Sequence, residues 1–223
     1  MGRGHRKVCA LFLFSKFMKK KFLLLFFSLL SFNAIHAYYY DNYDFEMSDD
    51  GTLTISGVSM ENFYSNSDAP WYYYREKIKK VVIKNGMLNI GNNAFERYEN
   101  LTSVTIPESV KIIGNSAFDY CTSLTSITIP KSVTSIGLFA FGECTSLTSI
   151  TVENGNTIYD SRNNCNAVIE TNSSTLIVGC KNTVIPNSVK NIGRLAFGYC
   201  NLTSITIPNS VTSIDRSAFY NCM

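Results

Sequence analysis

The stretch CTSLTSITIPKSVTSIGLFAFGECTSLTSI, from Cys121 to Ile150, decides the fold because its last seven residues copy its first seven. The copy begins at Cys144, 23 residues after the first. A short fixed period is the signature of a repeat architecture, in which each copy needs its neighbours to bury an apolar face. The full pattern is L-x-x-I-x-I-P-x-x-V-x-x-I-G-x-x-A-F-x-x-C, and it predicts six repeats, which begin at Ile78, Leu101, Leu124, Leu147, Cys180 and Leu202.

Each repeat opens with a segment in which apolar and hydroxyl residues alternate, which is typical of a half-buried strand. In the third repeat we expect Leu124, Ile127 and Ile129 to point inward and Thr128 to point outward. Proline ends the strand because it has no backbone N–H to donate. After a second apolar pair the pattern places a residue that tolerates a positive φ, and the residues at this place are Gly91, Gly114, Gly137, Gly193 and Asp215.

An Ala-Phe pair recurs at one place in five of the six repeats. A small residue beside a large one at a fixed period suits a stacked interior, so the phenylalanines are expected to form a spine through successive coils. Neighbouring strands stacked about 4.8 Å apart would then share hydrogen bonds along a continuous sheet. The pairs begin at Ala94, Ala117, Ala140, Ala196 and Ala218.

These residues resemble the BspA-type leucine-rich repeats, a family of secreted and surface-exposed proteins of bacteria that also occurs in some protozoa. The resemblance covers about residues 78–223 and rests on the tandem LTSITIP-xSVTSIG-xxAFxxC. It implies a mainly β fold, a leucine-rich-repeat solenoid of about six coils of about 23 residues with an inserted β-hairpin and an N-terminal β cap. It also implies a role in binding and adhesion, with host matrix proteins among the partners.

The repeat period is interrupted between Val152 and Gly179, where about ten extra residues are inserted. Two apolar segments flank TNSS, so the sequence predicts a hairpin with Val168 opposite Ile177. An insertion of this kind usually projects from the solenoid, often on a binding face, and the alternative is a tolerated variant repeat.

The segment 38–77, ahead of the first repeat, is rich in aromatic residues. The end of a solenoid core needs a cover, and aromatic side chains provide one. The same side chains could instead stack on a sugar, so a carbohydrate site stays open as the alternative. Its candidate residues are Trp71, Tyr72, Tyr73 and Tyr74.

Six of the seven cysteines follow the predicted leader. Four of them, Cys121, Cys144, Cys200 and Cys222, hold one repeat position and are expected to be small buried thiols. Cys165 and Cys180 fall opposite each other if the inserted hairpin is centred between Asn172 and Ser173, so a disulfide between them stays open for an exported chain.

The leader reads as residues 1–37: basic residues, an apolar run, then AIHA, which together are typical of a secretory signal peptide cleaved after Ala37. Met18 offers a second start, which would yield a signal of ordinary length. The apolar run is shorter than a membrane span requires, so we expect an exported chain with no span after cleavage, either secreted or at the cell surface.

Charge and residue types exclude several classes of function. Residues 38–223 carry 13 basic and 17 acidic side chains. Acidic residues are in excess, so the sequence indicates no basic surface for binding nucleic acid. Both histidines, His5 and His36, lie in the leader, so the Ser-His-Asp triad and ordinary zinc sites are excluded from the rest of the chain. The acidic residues are scattered, and we expect no enzymatic activity, cofactor or metal.

The outward strand positions carry hydroxyl residues, and stacking would align them into rows of uncharged donors and acceptors. We therefore predict an exported, non-enzymatic binding protein that contacts an extracellular protein, of a matrix or a host surface, or else a glycan. The C-terminal coil has no polar cap, which predicts truncation relative to longer relatives or self-association through that end, and the latter keeps a structural assembly piece open as a third function. The candidate binding residues are Thr105, Ser126, Thr128, Ser149, Thr151, Thr206, Trp71 and Tyr73.

Overall fold

The structure is a computed structural model that describes residues 36–40 and 42–222. The predicted leader, 1–37, and the second start at Met18 therefore lie outside the described residues, except for His36 and Ala37. Short 3-10 helices span Asn66–Asp68, Tyr72–Tyr74 and Arg162–Asn164. The strands are β1 (His36–Tyr39), β2 (Tyr43–Met47), β3 (Thr52–Gly57), β4 (Lys80–Ile83), β5 (Asn89–Ile90), β6 (Ser103–Thr105), β7 (Ile112–Ile113), β8 (Ser126–Ile129), β9 (Ser135–Ile136), β10 (Ser149–Val152), β11 (Tyr159–Asp160), β12 (Val168–Glu170), β13 (Thr175–Val178), β14 (Asn191–Ile192) and β15 (Ser213–Ile214).

The coils stack as the 23-residue period requires. Each of the first four repeats opens with a strand, and these first-row strands are β4, β6, β8 and β10. A second row of two-residue strands follows, in which β5, β7 and β9 pair in parallel with Asn89, Ile112 and Ser135 in register. The fold is thus a mainly β leucine-rich-repeat solenoid with almost no helix, as predicted.

The segment before the first repeat extends the first row of strands. Strands β1, β2 and β3 form an antiparallel meander, and β3 then pairs in parallel with β4, with Thr52 opposite Lys80. The inward side chains of these strands, among them Phe45, Leu53 and Ile55, are buried in the same hydrophobic cluster as the first repeats. This meander is the N-terminal β cap of the solenoid.

Stacked aromatic rings form the predicted spine. The ring centroids of Phe95 and Phe118 lie 5.3 Å apart, and those of Phe118 and Phe141 lie 5.6 Å apart. The spine resumes after the insertion with Phe197 and Phe219, whose ring centroids are 5.1 Å apart. Offset stacking at these distances adds to the burial of apolar area.

Gly179 takes the place of a spine phenylalanine in the fourth coil. Its N–H donates to the Ala196 carbonyl, just as the Phe95 N–H donates to the Ala117 carbonyl three coils earlier. A Cβ at Gly179 would overlap the Phe197 ring, which fills the space that a side chain would need. The spine is therefore interrupted at the insertion, and the core divides there into two hydrophobic clusters.

The insertion does not project, contrary to the prediction. Strand β13 pairs in parallel with β14, with Leu176 opposite Ile192, so it takes the second-row place in its coil. Val168 on β12 packs in the N-terminal cluster, whereas the next residue, Ile169, packs in the C-terminal cluster. Both faces of β12 are apolar, and the hairpin therefore separates the two clusters.

The predicted hairpin register is wrong at one position. Val168 pairs with Val178 and not with Ile177, because a bulge between Val168 and Ile169 shifts the ladder by one residue. The turn is placed correctly, since Ile169 pairs with Leu176 and Glu170 with Thr175.

The repeat glycines serve a different purpose from the one predicted. The positive φ values fall two residues after them, at Asn93, Ser116, Phe139, Leu195 and Ser217. At Gly114 a Cβ would lie 2.6 Å from the Asn92 backbone nitrogen and 2.6 Å from its Oδ1. Glycine is needed because the neighbouring coil approaches closely, which allows Asn92 Oδ1 to accept from the Asn115 N–H at 2.8 Å.

Candidate functional site

Six hydroxyl side chains form one outward surface on three first-row strands, and we call it the hydroxyl face. Strands β8 and β10 bring Ser126 opposite Ser149 and Thr128 opposite Thr151. All six residues are exposed except Ser149, which is half-buried. The inward neighbours Ile127 and Ile150 are buried, so the alternation predicted from the sequence sets this face. The hydroxyl face consists of Ser103, Thr105, Ser126, Thr128, Ser149 and Thr151.

Two other hydroxyls of the same repeats are hydrogen-bonded to the preceding coil, unlike those of the hydroxyl face. Thr102 Oγ1 donates to the Lys79 carbonyl at 2.9 Å, and Thr148 Oγ1 donates to the Thr125 carbonyl at 3.3 Å. Those hydroxyls tie one coil to the next. Within residues 36–40 and 42–222, no side-chain hydroxyl of the hydroxyl face has a hydrogen-bond partner. Their donors and acceptors are therefore available to a ligand.

Charged residues border the hydroxyl face on two sides. On β4, Lys80 lies opposite Ser103 and is exposed. Beyond the strand ends, Lys131 Nζ pairs with Glu108 at 3.0 Å, and the Lys131 N–H donates to Glu153 at 3.1 Å. The face itself is uncharged, so a partner meets donors and acceptors that cost less to desolvate than ions.

Thr206 does not lie in a continuous row with the other predicted threonines. It is exposed, but the last repeat forms no first-row strand among the described residues. Strand β10 pairs with β8, but β8 does not pair with β6, and among the described residues no strand of the fifth and sixth repeats pairs with β10, so the first row is not the continuous sheet that the period predicted. The insertion interrupts the row again, and the fifth coil lies between Thr151 and Thr206.

Trp71 belongs to the core and cannot receive a sugar. Its side chain is fully buried, its Nε1–H donates to the Ala94 carbonyl at 2.8 Å, and its ring stacks on Phe95. The indole thus forms the first ring of the spine, which supports the predicted covering role of the segment. Tyr73 is placed differently, because 78% of it is exposed.

The two cysteines of the insertion are both free and buried, so the disulfide that the sequence left open is not formed in this structure. The physical reason is that the two side chains pack in different clusters: Cys165 lies in the C-terminal hydrophobic cluster and Cys180 in the N-terminal one. Cys180 Sγ donates to the Asn166 carbonyl at 3.2 Å instead. Burial raises the pKa of both thiols, which keeps them protonated.

The four repeat cysteines form a ladder of free thiols. Cys121 Sγ donates to the Phe95 carbonyl and Cys144 Sγ to the Phe118 carbonyl, each at 3.2 Å. Cys222 donates to the Phe197 carbonyl in the same way. The thiols therefore satisfy backbone carbonyls of the preceding coil, a structural role that explains their fixed place in the repeat.

One acidic cluster was missed in the sequence analysis. Asp119 is half-buried, and its Oδ1 has no hydrogen-bond partner among the described residues. Burial, with added repulsion from Glu96 and Glu143, raises the pKa of Asp119 to about 6. Glu96 and Asp119 follow the spine phenylalanine in consecutive repeats, and this shared offset was the available signal.

The part of the chain that the structure describes contains no group of three or more His, Cys, Asp or Glu side chains placed to hold a metal ion. Over the same residues, 36–40 and 42–222, no helix is both long enough and apolar enough to cross a membrane.

Solved structures with the same fold come from bacterial leucine-rich repeat proteins. A leucine-rich cell surface protein from Faecalibacterium prausnitzii matches with a TM-score of 0.55 and 22% identity, over 85% of this chain and 75% of that one. The pneumococcal vaccine antigen PcpA matches with a TM-score of 0.53 and 16% identity, over 84% and 68% of the two chains.

A leucine-rich repeat protein from Eubacterium ventriosum is 27% identical, with a TM-score of 0.48. The match covers 84% of this chain but spans only 63% of that protein. No curated protein shows significant similarity to the chain.

The family model for the BspA type leucine rich repeat region matches residues 69–176 and 169–223, with six copies. These matches cover most of the chain and agree with the six repeats predicted from the sequence. The chain therefore belongs to the BspA-type leucine-rich repeat family.

Proposed function

We propose that this protein is exported and binds another protein outside the cell, in adhesion, through its hydroxyl face. The observation that carries the proposal is the division of labour among the hydroxyls. Thr102 and Thr148 bond to backbone carbonyls, whereas Thr105, Thr128 and Thr151 are exposed and have no partner within the described residues. The hydroxyls that bond to carbonyls stabilise the stack of coils. The exposed hydroxyls do not contribute to the stack in this way.

The geometry of the hydroxyl face suits an extended protein segment. Between β8 and β10, which are hydrogen-bonded, its rows advance by about 4.8 Å, the spacing between strands of a sheet. Each row offers donors and acceptors at that interval, and binding leaves no ionic group buried without a partner. Many weak contacts along a solenoid are the usual means by which repeat proteins bind extended surfaces.

Family membership supports an interaction role, because leucine-rich repeat proteins generally bind or scaffold other molecules. A similar structure is described as a cell surface protein. The predicted signal peptide supports export. Residues 38–223 contain no histidine, and the acidic cluster at Asp119 lies within hydrogen-bonded turns, so we propose no catalytic step.

A glycan-binding role is the second candidate, and it now rests on Tyr73 and its neighbours. Tyr73 and Tyr64 are exposed, at 78% and 100%, whereas Trp71 is buried. Exposed tyrosine rings can stack on sugar faces. Because Trp71 is buried, the largest aromatic ring of the candidate glycan site is not available to a sugar. Protein binding is therefore the primary proposal.

Binding of the full chain to immobilised extracellular-matrix proteins, beside a glycan array, tests the proposal. We expect saturable binding to a matrix protein that persists in the Tyr73→Ala variant. Binding only to glycans that is lost in Tyr73→Ala would establish the second candidate instead. Trimming the insertion is unsuitable as a probe because β12 and β13 are part of the core.

A further inference from the structure

The chain contains two Asn-Gly pairs, Asn85-Gly86 and Asn154-Gly155, in matching surroundings. Each asparagine lies two residues after a first-row strand, β4 in one case and β10 in the other. All four residues are exposed, and both glycines have a positive φ, 109° at Gly86 and 91° at Gly155. The two turns are thus a natural pair for comparison.

The two turns differ at the glycine nitrogen. The Gly86 N–H donates to Ser109 Oγ at 3.0 Å, and that hydroxyl donates in turn to the Met87 carbonyl at 2.7 Å. Among residues 36–40 and 42–222, the Gly155 N–H has no hydrogen-bond partner. The Asn154 side chain likewise has none within that part of the chain.

This difference matters because the glycine nitrogen is the nucleophile in asparagine deamidation. The Gly155 nitrogen bonds to the side-chain carbonyl carbon of Asn154, and the amide nitrogen leaves as ammonia with the proton from the Gly155 N–H. The cyclic imide that results is opened by water at either C–N bond, which yields aspartate or isoaspartate. Water is the only co-reactant, and glycine favours the reaction because it has no Cβ to obstruct ring closure.

We propose that Asn154 is a site of spontaneous deamidation, and that the Ser109 hydroxyl protects Asn85 from the same reaction. At Gly86 the nitrogen must first give up its hydrogen bond to Ser109, and at Gly155 it is already available. The inference is independent of what the hydroxyl face binds.

The product would alter one border of the hydroxyl face. Asn154 lies three residues after Thr151 and next to Glu153, so deamidation adds a carboxylate beside an existing one. Lys131, whose side chain already pairs with Glu108, lies beside this turn, with its Cδ 3.9 Å from the Cβ position of Gly155. Isoaspartate would also lengthen the backbone between Glu153 and Asn156, whose Nδ2 anchors the turn to the Pro130 and Val133 carbonyls.

The test incubates the full chain at mildly alkaline pH and follows both Asn-Gly peptides by mass spectrometry, with an isoaspartyl methyltransferase assay for the isomer. We expect the Asn154 peptide to convert about five-fold or more faster than the Asn85 peptide, the factor for one hydrogen bond. In denaturant the two rates should converge, because the local sequence is then the main determinant. Equal rates in the native protein, or no conversion at Asn154, would overturn the proposal.

Two serine variants separate protection from general loosening. Ser109→Ala removes the bond to Gly86 and should raise the Asn85 rate toward that of Asn154. Ser132 holds the equivalent place in the next coil and donates to the Val110 carbonyl at 2.6 Å, so Ser132→Ala is the matched control. The proposal fails if Ser109→Ala leaves the Asn85 rate unchanged, or if Ser132→Ala raises it equally.

Discussion

The indole ring of Trp71 stacks on the phenyl ring of Phe95, with ring centroids 5.5 Å apart and 20° between the ring planes. Trp71 comes from the aromatic cap and Phe95 from the first repeat, so this contact joins the cap to the spine. Phe45 and Phe63 meet the indole edge-on at 5.6 and 5.7 Å, which encloses it completely.

Replacing Trp71 with alanine should therefore act on stability and not on a ligand. A fully buried tryptophan truncated to alanine costs about 3–5 kcal/mol of unfolding free energy. Urea denaturation of Trp71→Ala and Tyr73→Ala measures this, with Tyr73→Ala expected near the wild type because the ring is exposed. A stable Trp71→Ala protein that had lost glycan binding would contradict the placement of the indole.

Adding a methyl group at Gly179 should destabilise the insertion. Gly179→Ala would place its Cβ against the Phe197 ring, at a cost typical of overpacking, about 1–3 kcal/mol. The comparison variant is Gly198→Ala, where the nearest atoms to the new Cβ belong to Leu195 and lie 3.3 and 3.4 Å away, so a smaller loss is expected. Combining Gly179→Ala with Phe197→Leu should recover part of the loss in a double-mutant cycle, and additive costs would argue against the proposed overlap.

The free thiols should react in an order set by burial. Burial raises the pKa of Cys121 and Cys144 strongly, and it raises that of Cys200 to about 12. Cys222 is less buried, so alkylation of the native protein should label it first, with Cys121 and Cys144 labelled only after unfolding. Peptide mapping without reductant should also show no link between Cys165 and Cys180, and a linked peptide would contradict the structure.

Asp119 should give the fold a pH dependence of unusual sign. Its pKa is about 6 in the folded state against 3.8 when unperturbed, so the folded chain binds the extra proton between these values. Its contribution to stability is therefore highest below pH 3.8 and falls as the pH rises through about 6.

The groups that face Asp119 are Glu96, Arg97, Tyr120, Glu143 and the buried thiols Cys121 and Cys144. Asp119→Asn should flatten the profile and stabilise the chain near neutral pH by about 1 kcal/mol, discounted for partial exposure. Urea midpoints at pH 4.5 and 7.5, values on either side of most of the window, measure this. Identical pH profiles for both proteins would refute the assignment.

The 23-residue period predicted most of the fold because stacking imposes the same environment on the same position of every coil. The first-row strands of the first four repeats, the phenylalanine spine and the outward hydroxyls follow from that rule, whereas the fifth and sixth repeats form no first-row strand among the described residues. The role of Gly114 was not predicted correctly. A close approach by Asn92 and a positive φ both select glycine, and here the close approach is the cause. Sequence alone does not distinguish the two causes.

The insertion and the candidate site were harder to predict for related reasons. Both faces of β12 are apolar, but only the structure shows that Val168 and Ile169 serve separate clusters, and this keeps Cys165 from Cys180. The alternation placed Thr105, Thr128 and Thr151 outside correctly. The sequence did not predict which hydroxyls are already hydrogen-bonded. That depends on contacts between coils, and the pattern within one repeat does not describe such contacts.

The most direct test of the central claim is the affinity of a face variant for the matrix protein that the wild type binds. In Thr105→Lys/Thr151→Lys, two long charged side chains block the hydroxyl face. In the control, Ser135→Lys/Ser213→Lys, the same charges occupy exposed second-row positions. With urea midpoints matched, we predict that the face variant loses about tenfold or more in affinity, or about 1.4 kcal/mol, and that the control retains it. Equal affinity in the two variants would contradict binding through the hydroxyl face.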